Sequence, residues 1–285
     1  MKLNGFSLGE TPIGVYEISE YPLPIMKRPQ FTPVFCSTLT AVMMTLPAHS
    51  DILVSDDFLT NGTLKGLSPS VGGEWTSISG TEDQVQVVGN RVQLTDAASE
   101  DVESGFGLSY TSGSLYFGLD LSVADPGSYT GTDQEYFAHF SGSIFTARTD
   151  IAAFSADGYR PGVATTSSTA EVFWGSDLAY DTDYRIVVGY DFATGLTSLW
   201  VDPGAITDPK ITSTTAETGL TLDAFNFRQS GSTPNQDLSI GRLRVATTFD
   251  EVALHNVSAI PEPGSTAILA VMALSTCPFA STFEL

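Results

Sequence analysis

Between Asp51 and Val257 the chain is cut into short runs rich in β-branched and aromatic residues, divided by clusters of Gly, Ser, Asp and Thr. No stretch holds a helical period, so backbone hydrogen bonds must be made between runs, as in an antiparallel sandwich or barrel. The pattern predicts strands over 52–58, 74–77, 84–88, 91–94, 105–109, 114–122, 135–140, 144–149, 151–155, 170–173, 183–190, 196–201, 224–228 and 237–245. Fourteen strands exceed what an immunoglobulin domain uses. They suit an all-β fold of two large antiparallel sheets packed face to face.

The clearest unit is the stretch from Tyr184 to Pro203. Two β-rich runs flank a short loop in which Gly195 supplies the positive φ that hairpin loops need. Alternation sends Tyr184, Ile186, Val188 and Tyr190 to one face, with Val187 and Gly189 opposite among Arg185 and Asp191. Asp202-Pro203 stops the second run, because proline cannot donate to a ladder. The hairpin is expected at the centre of a sheet.

Charge and cysteine usage narrow the classes of function. The 285 residues carry a net charge of −21, and hydrophobic residues make up 42%, enough for a packed core. From Asp51 to Ile260 there are 9 Lys+Arg against 28 Asp+Glu, with Lys65 and Lys210 the sole lysines. Such a surface repels phosphate backbones, so no nucleic-acid partner is expected. The two cysteines, Cys36 and Cys277, lie in the apolar end segments. A body trimmed of both ends would have no disulfide and would rest on its core alone.

The ends read as processing segments. Residues 1–25 lack periodicity and are expected to be an extension from a mis-assigned start codon. Residues 26–50 carry Lys27-Arg28, an apolar run and the small-x-small site Ala48-His49-Ser50, the three parts of a signal peptide cleaved after Ser50. At the other end, within 258–285, Pro261-Glu262-Pro263 precedes a short apolar run beginning at Ala267. Two prolines keep that joint extended. The motif and its apolar helix resemble the PEP-CTERM sorting signal of Gram-negative bacteria. The resemblance implies export, an exosortase and the secretion machinery as partners, and transient anchoring in the inner membrane through the C-terminal tail. It also implies delivery to the cell surface or an extracellular polysaccharide matrix. The family ends in an Arg-rich cluster, whereas this chain ends in Cys277 to Leu285 without a basic residue. A shifted reading frame is the expected cause.

The body carries a second resemblance. The opening Asp56-Asp57-Phe58, the central Leu199-Trp200-Val201-Asp202-Pro203 and the closing run from Ser239 to Phe249 are similar to a concanavalin A-like or laminin-G-like jelly roll. That likeness implies a jelly-roll sandwich over 51–257, with its first and last strands side by side.

Catalytic motifs are scarce. Jelly-roll glycosidases place Glu-x-Asp-x-x-Glu on one strand so that alternate carboxylates share a face. That spacing does not occur in the sequence. The nearest cluster, Glu100-Asp101-Val102-Glu103, is expected to be a solvated acidic loop. His139 is expected to be a strand residue rather than a base or ligand, and no Gly-x-Ser-x-Gly elbow is present. No catalytic residue and no obligatory cofactor are expected.

The laminin-G-like resemblance also implies calcium as a ligand, with Asp125, Asp181 and Asp183 the candidate donors, against an ordinary turn role for each. Glycan stacking would use exposed rings, for which Tyr110, Tyr116, Tyr129, Tyr159, Trp174 and Tyr180 are candidates. The sequence therefore points to an exported sandwich, non-catalytic, that binds glycan or builds matrix. The alternatives are a diverged polysaccharide hydrolase or lyase, and a calcium-dependent adhesion module.

Overall fold

The computed structural model describes residues 51–129, 134–230 and 237–253. The signal segment, the Pro261-Glu262-Pro263 motif and the apolar tail lie outside the described residues. Among the described residues no helix is long and apolar enough to cross a membrane.

In chain order the elements are β1 (Ile52–Asp56), β2 (Gly62–Thr63), β3 (Thr76–Ser79), β4 (Gln86–Val87), β5 (Val92–Leu94), β6 (Asp101–Tyr110), β7 (Ser114–Val123) and β8 (Gln134–Gly142). They continue with β9 (Thr146–Ser155), β10 (Gly158–Ala164), β11 (Val172–Phe173), β12 (Tyr184–Asp191), β13 (Leu196–Val201), β14 (Ile211–Thr212), β15 (Leu222–Arg228) and β16 (Leu238–Ala246). A five-residue helix, α1 (Phe249–Ala253), follows. The fold is all-β, as expected.

Sheet A runs β14-β13-β12-β7-β16-β5-β4-β2, with β1 also paired to β16, and sheet B runs β11-β10-β9-β8-β15-β6-β3. Every pairing among these strands is antiparallel. The first and last strands lie together, with Asp56 opposite Leu243, which is the closure that the opening Asp56-Asp57-Phe58 led us to expect.

The reason for that opening is local. Asp56 Oδ1 accepts the Phe58 amide at 2.8 Å and Oδ2 accepts the Trp75 indole N–H at 2.9 Å. Trp75, fully buried, stacks on Phe227 at 5.5 Å and meets Phe225 edge-on at 6.4 Å. One carboxylate thus anchors the largest ring of the core with its only donor satisfied.

The alternation expected in β12 holds. Ile186, Val188 and Tyr190 are in the inter-sheet core with Tyr184 packed against it, while Val187 belongs to a second cluster on the outer face of sheet A. That second cluster comprises Val187, Trp200, Ala246 and the α1 residues Phe249, Val252 and Ala253, with Tyr116 against it. Because α1 covers this end of the outer face, Arg185 is buried there. Its Nε and Nη2 donate to Val252 O at 3.0 and 2.6 Å, and Nη1 donates to Arg242 O at 2.8 Å and Asp120 Oδ1 at 3.2 Å. Burial pushes the guanidinium down to about 10, against the raising influence of Asp120.

The strand map needs four corrections. Segments 144–149 and 151–155 are one strand, β9, because Asp150 is a buried strand residue and not a turn. β10 was missed, since Pro161-Gly162 reads as a breaker; Pro161 instead keeps its carbonyl in play, accepting the Trp174 amide at 2.8 Å. β2 and β14 were missed because two-residue strands carry no period. The acidic run at Glu100 is no solvated loop. Asp101 opens β6, and Glu100 is wholly buried, its carboxylate accepting the amides of Asp83, Gln84 and Val85 at 3.1, 2.7 and 2.7 Å. A buried carboxylate is tolerated there because three backbone donors stand in for water.

Candidate functional site

On the outer face of sheet A, beside the patch covered by α1, lies a hollow of about 330 Å³. Strand register assembles it. Gly189 on β12 stands opposite Tyr116 on β7 and Ser198 on β13, and Ser198 stands opposite Thr212 on β14. These positions share the face away from the core, as period-two alternation requires. Tyr116, Gly189, Ser198, Trp200, Lys210 and Thr212 line the hollow, and Tyr190, Asp191, Thr194, Leu196 and Ile206 complete it.

Gly189 is what seats the aromatic wall. A Cβ on this residue would lie 2.5 Å from Tyr116 Cδ1 and 2.6 Å from Cε1, so the ring can rest on the strand only because no side chain is there. Tyr116 also meets Phe249 edge-on at 5.9 Å and Trp200 at 6.5 Å, which holds the ring upright while leaving it half-exposed. Trp200 is buried at 2% exposure, its indole N–H donating to Ile206 O at 3.2 Å. Lys210 Nζ sits 4.8 Å from the Trp200 ring centre.

The polar rim is partly committed. Asp191 accepts the Thr194 amide at 2.7 Å, the Thr194 hydroxyl at 2.9 Å and the Ser114 hydroxyl at 3.3 Å. The Thr194 amide is the largest influence holding its carboxyl below the usual range. Ser198 Oγ and Thr212 Oγ1 bond each other at 3.0 Å, each keeping lone pairs for a further partner.

The outer face of sheet B is also polar, and Asp150, His139 and Asn226 are buried on it. Register places Gly162, Asp150 and Tyr136 side by side on β10, β9 and β8. A second row puts Glu103, Asn226 and His139 side by side on β6, β15 and β8. The Arg148 and Arg228 guanidiniums lie over the Tyr136 ring at 4.7 and 4.3 Å. Burial pushes the Asp150 carboxyl up to about 8, against the lowering influence of Arg148. Burial likewise pushes His139 down to about 4, so it is neutral at pH 7. As expected it is a strand residue, with Nδ1 3.1 Å from Phe140 O.

Glu135, which burial pushes up to about 7, accepts a hydrogen bond from Arg228 Nη1 at 2.9 Å. It stands opposite Ile151 and lines a small pocket with it, Phe137 and Arg228, while Asp150 is paired with Tyr136 and Gly162.

The candidate calcium donors are spread over turns. Asp125 accepts the Gly127 amide at 2.8 Å and the Tyr129 hydroxyl at 2.6 Å. Asp183 pairs with Arg91 at 2.7 Å, and Asp181 holds a positive φ of 53° while its amide bonds Val123 O. Among the described residues no group of three or more His, Cys, Asp and Glu side chains converges as a metal site.

Of the candidate rings, Tyr116 lines the hollow. Tyr159 does not serve as an exposed platform; it is fully buried, because the bridge between Tyr159 and Leu178 draws it under Tyr180. Tyr129 continues that column at 6.0 Å from Tyr180. Tyr110, Trp174 and Tyr180 are half-buried against the core.

No family model matches the chain, and no curated protein matches it. Among solved structures the chain's path resembles that of lectins. The lectin UEA-II complexed with galactose is 11% identical, with a TM-score of 0.40 over 67% of this chain and 98% of that one. The Lotus tetragonolobus seed lectin is 8% identical, with a TM-score of 0.41 over 65% and 97%. Trypanosoma rangeli sialidase is 7% identical, with a TM-score of 0.44 over 71% of this chain but 32% of that one. The two-sheet assignment for the present chain rests on its own strand pairing.

Sequence reasoning missed Gly189, Ser198, Trp200 and Lys210 as members of a site. The signal for Gly189 was available, since a glycine in the middle of a β-branched run marks a close approach. Lys210 lies beyond Pro203 in an irregular segment, where no period ties it to β13.

Proposed function

We propose that this protein is an exported, non-catalytic β-sandwich that binds glycan through the hollow beside Tyr116 and is sorted to the cell surface or matrix by an exosortase. The observation that carries the binding reading is the Tyr116 ring standing on Gly189, half-exposed in a hollow of about 330 Å³. Ligand sites of this size pair an aromatic wall with a few polar groups, and the face of a pyranose ring suits such a wall. The hydroxyls of Thr194, Ser198 and Thr212 supply the polar groups. The export reading is supported by Ala48-His49-Ser50 and Pro261-Glu262-Pro263 in the sequence and by a strongly acidic body.

Binding of the purified full chain to an oligosaccharide array, with and without Tyr116→Ala, tests the first part. Binding by the parent and its loss in a folded variant are expected; equal binding by both would overturn the assignment. Mass spectrometry of the protein from its host tests the second. A mature chain beginning at Asp51 and cut near Pro263 is expected, and an untrimmed chain in the cytosol would contradict it.

A further inference from the structure

The environment of Lys210 says more about the ligand than the aromatic wall does. The body holds nine Lys and Arg residues among 28 carboxylates. Among the described residues, seven of the nine lie within ion-pair distance of a carboxylate: Lys65, Arg91, Arg160, Arg185, Arg228, Arg242 and Arg244. The two that do not are Arg148, folded over Tyr136 and Phe145, and Lys210. In so acidic a chain, a lysine that meets no carboxylate is the exception.

Its neighbours explain how this comes about. Asp208 lies two residues away, but its Oδ2 accepts the amides of Gly204 and Ala205 at 2.7 and 2.9 Å and is held in that turn. Asp191, which lines the same hollow, is turned toward Thr194 and Ser114. Lys210 therefore has the Trp200 ring as its partner, which holds the ammonium beside the hollow without neutralising it. Asp191 and Asp208 are thus each engaged by other groups.

Resting on the glycan reading above, we infer that the hollow selects acidic sugars: a uronate residue stacks on Tyr116 and sets its carboxylate against Lys210. The body as a whole repels anions, yet that repulsion is screened beyond about 8 Å at physiological ionic strength, whereas a contact between ammonium and carboxylate is not. The hollow thus favours an acid where the rest of the surface disfavours it, which confines acidic glycan to one place and one orientation.

The test compares tetragalacturonate with its methyl ester by titration calorimetry of the full chain, using the parent, Lys210→Gln and Lys210→Arg. The ester keeps the shape and loses the charge. Expected is about tenfold tighter binding of the acid by the parent, the scale of one charge-assisted contact at a wet site. Lys210→Gln should abolish that preference, so that acid and ester bind alike, and Lys210→Arg should keep most of it. Equal binding of acid and ester by the parent would overturn the acidic selection while leaving glycan binding intact. A preference that survives Lys210→Gln would overturn the role of Lys210. Binding of neither sugar, nor of any oligosaccharide on the array, would overturn the glycan reading itself.

Discussion

Tyr116 and Gly189 face each other across adjacent strands, and the ring occupies the space that a side chain on Gly189 would need. Gly189→Ala therefore pushes the ring off the strand. Overpacking of this kind costs about 1–3 kcal/mol, measurable by urea unfolding. Because the displaced ring no longer forms the wall, sugar affinity should fall in the folded variant as well. A variant with parental stability and affinity would show that the ring can move aside without consequence.

Asp120 holds two guanidiniums, Arg185 and Arg242, and Arg185 is almost wholly buried. The Arg242 contact depends on an irregularity in β16 between Gly241 and Arg244, where Arg242 takes a φ of 41°. Asp120→Ala strands a buried charge and should destabilise the fold by about 3–5 kcal/mol. Replacing Arg185 and Asp120 together by apolar residues should cost less than the sum of the two single changes, a double-mutant cycle readable by chemical denaturation.

Glu100 should prove structural. Its carboxylate accepts three amides from the turn leading into β4. Glu100→Ala leaves those donors without an acceptor, at a cost of at least about 2 kcal/mol. Hydrogen exchange should accelerate at Asp83, Gln84 and Val85, and sugar binding by the folded fraction should be unchanged.

Asp150 should make stability depend on pH in a sense opposite to that of most carboxylates. Its folded-state value, near 8, lies far above that of an unfolded aspartate, so between roughly pH 4 and pH 8 the folded state binds a proton that the unfolded state does not. This contribution is present in full at low pH and is lost as pH rises toward 8. His139, held neutral down to about 4, acts in the reverse sense between about pH 4 and 6.5. The difference between the parent and Asp150→Asn isolates the aspartate: the variant should gain stability relative to the parent as pH rises through that window. A constant difference would mean that Asp150 is ionised in the fold throughout.

Much of the architecture could be read directly from the chain. The alternation from Tyr184 to Tyr190 set the buried face of β12, and the hydrophobic runs at either end of the body marked the strands that close the sandwich. What could not be read was carried by contacts distant in sequence. Glu100 looks like solvent-exposed acid until its turn of amides is folded against it. Asp150 looks like a break between strands until both neighbouring strands pair across it. Tyr116 was one candidate ring among six, and nothing local separates it from Tyr159, which the bridge to Leu178 buries. The hollow itself needs four strands in register before Gly189, Ser198 and Lys210 become neighbours.

The most direct measurement is a crystal structure of the full chain soaked with tetragalacturonate. Sugar density against the Tyr116 ring, with a carboxylate at Lys210 Nζ, is the expected result. Ordered sugar on any other face, with the Tyr116 hollow empty at saturating concentration, would contradict the binding site proposed for this protein.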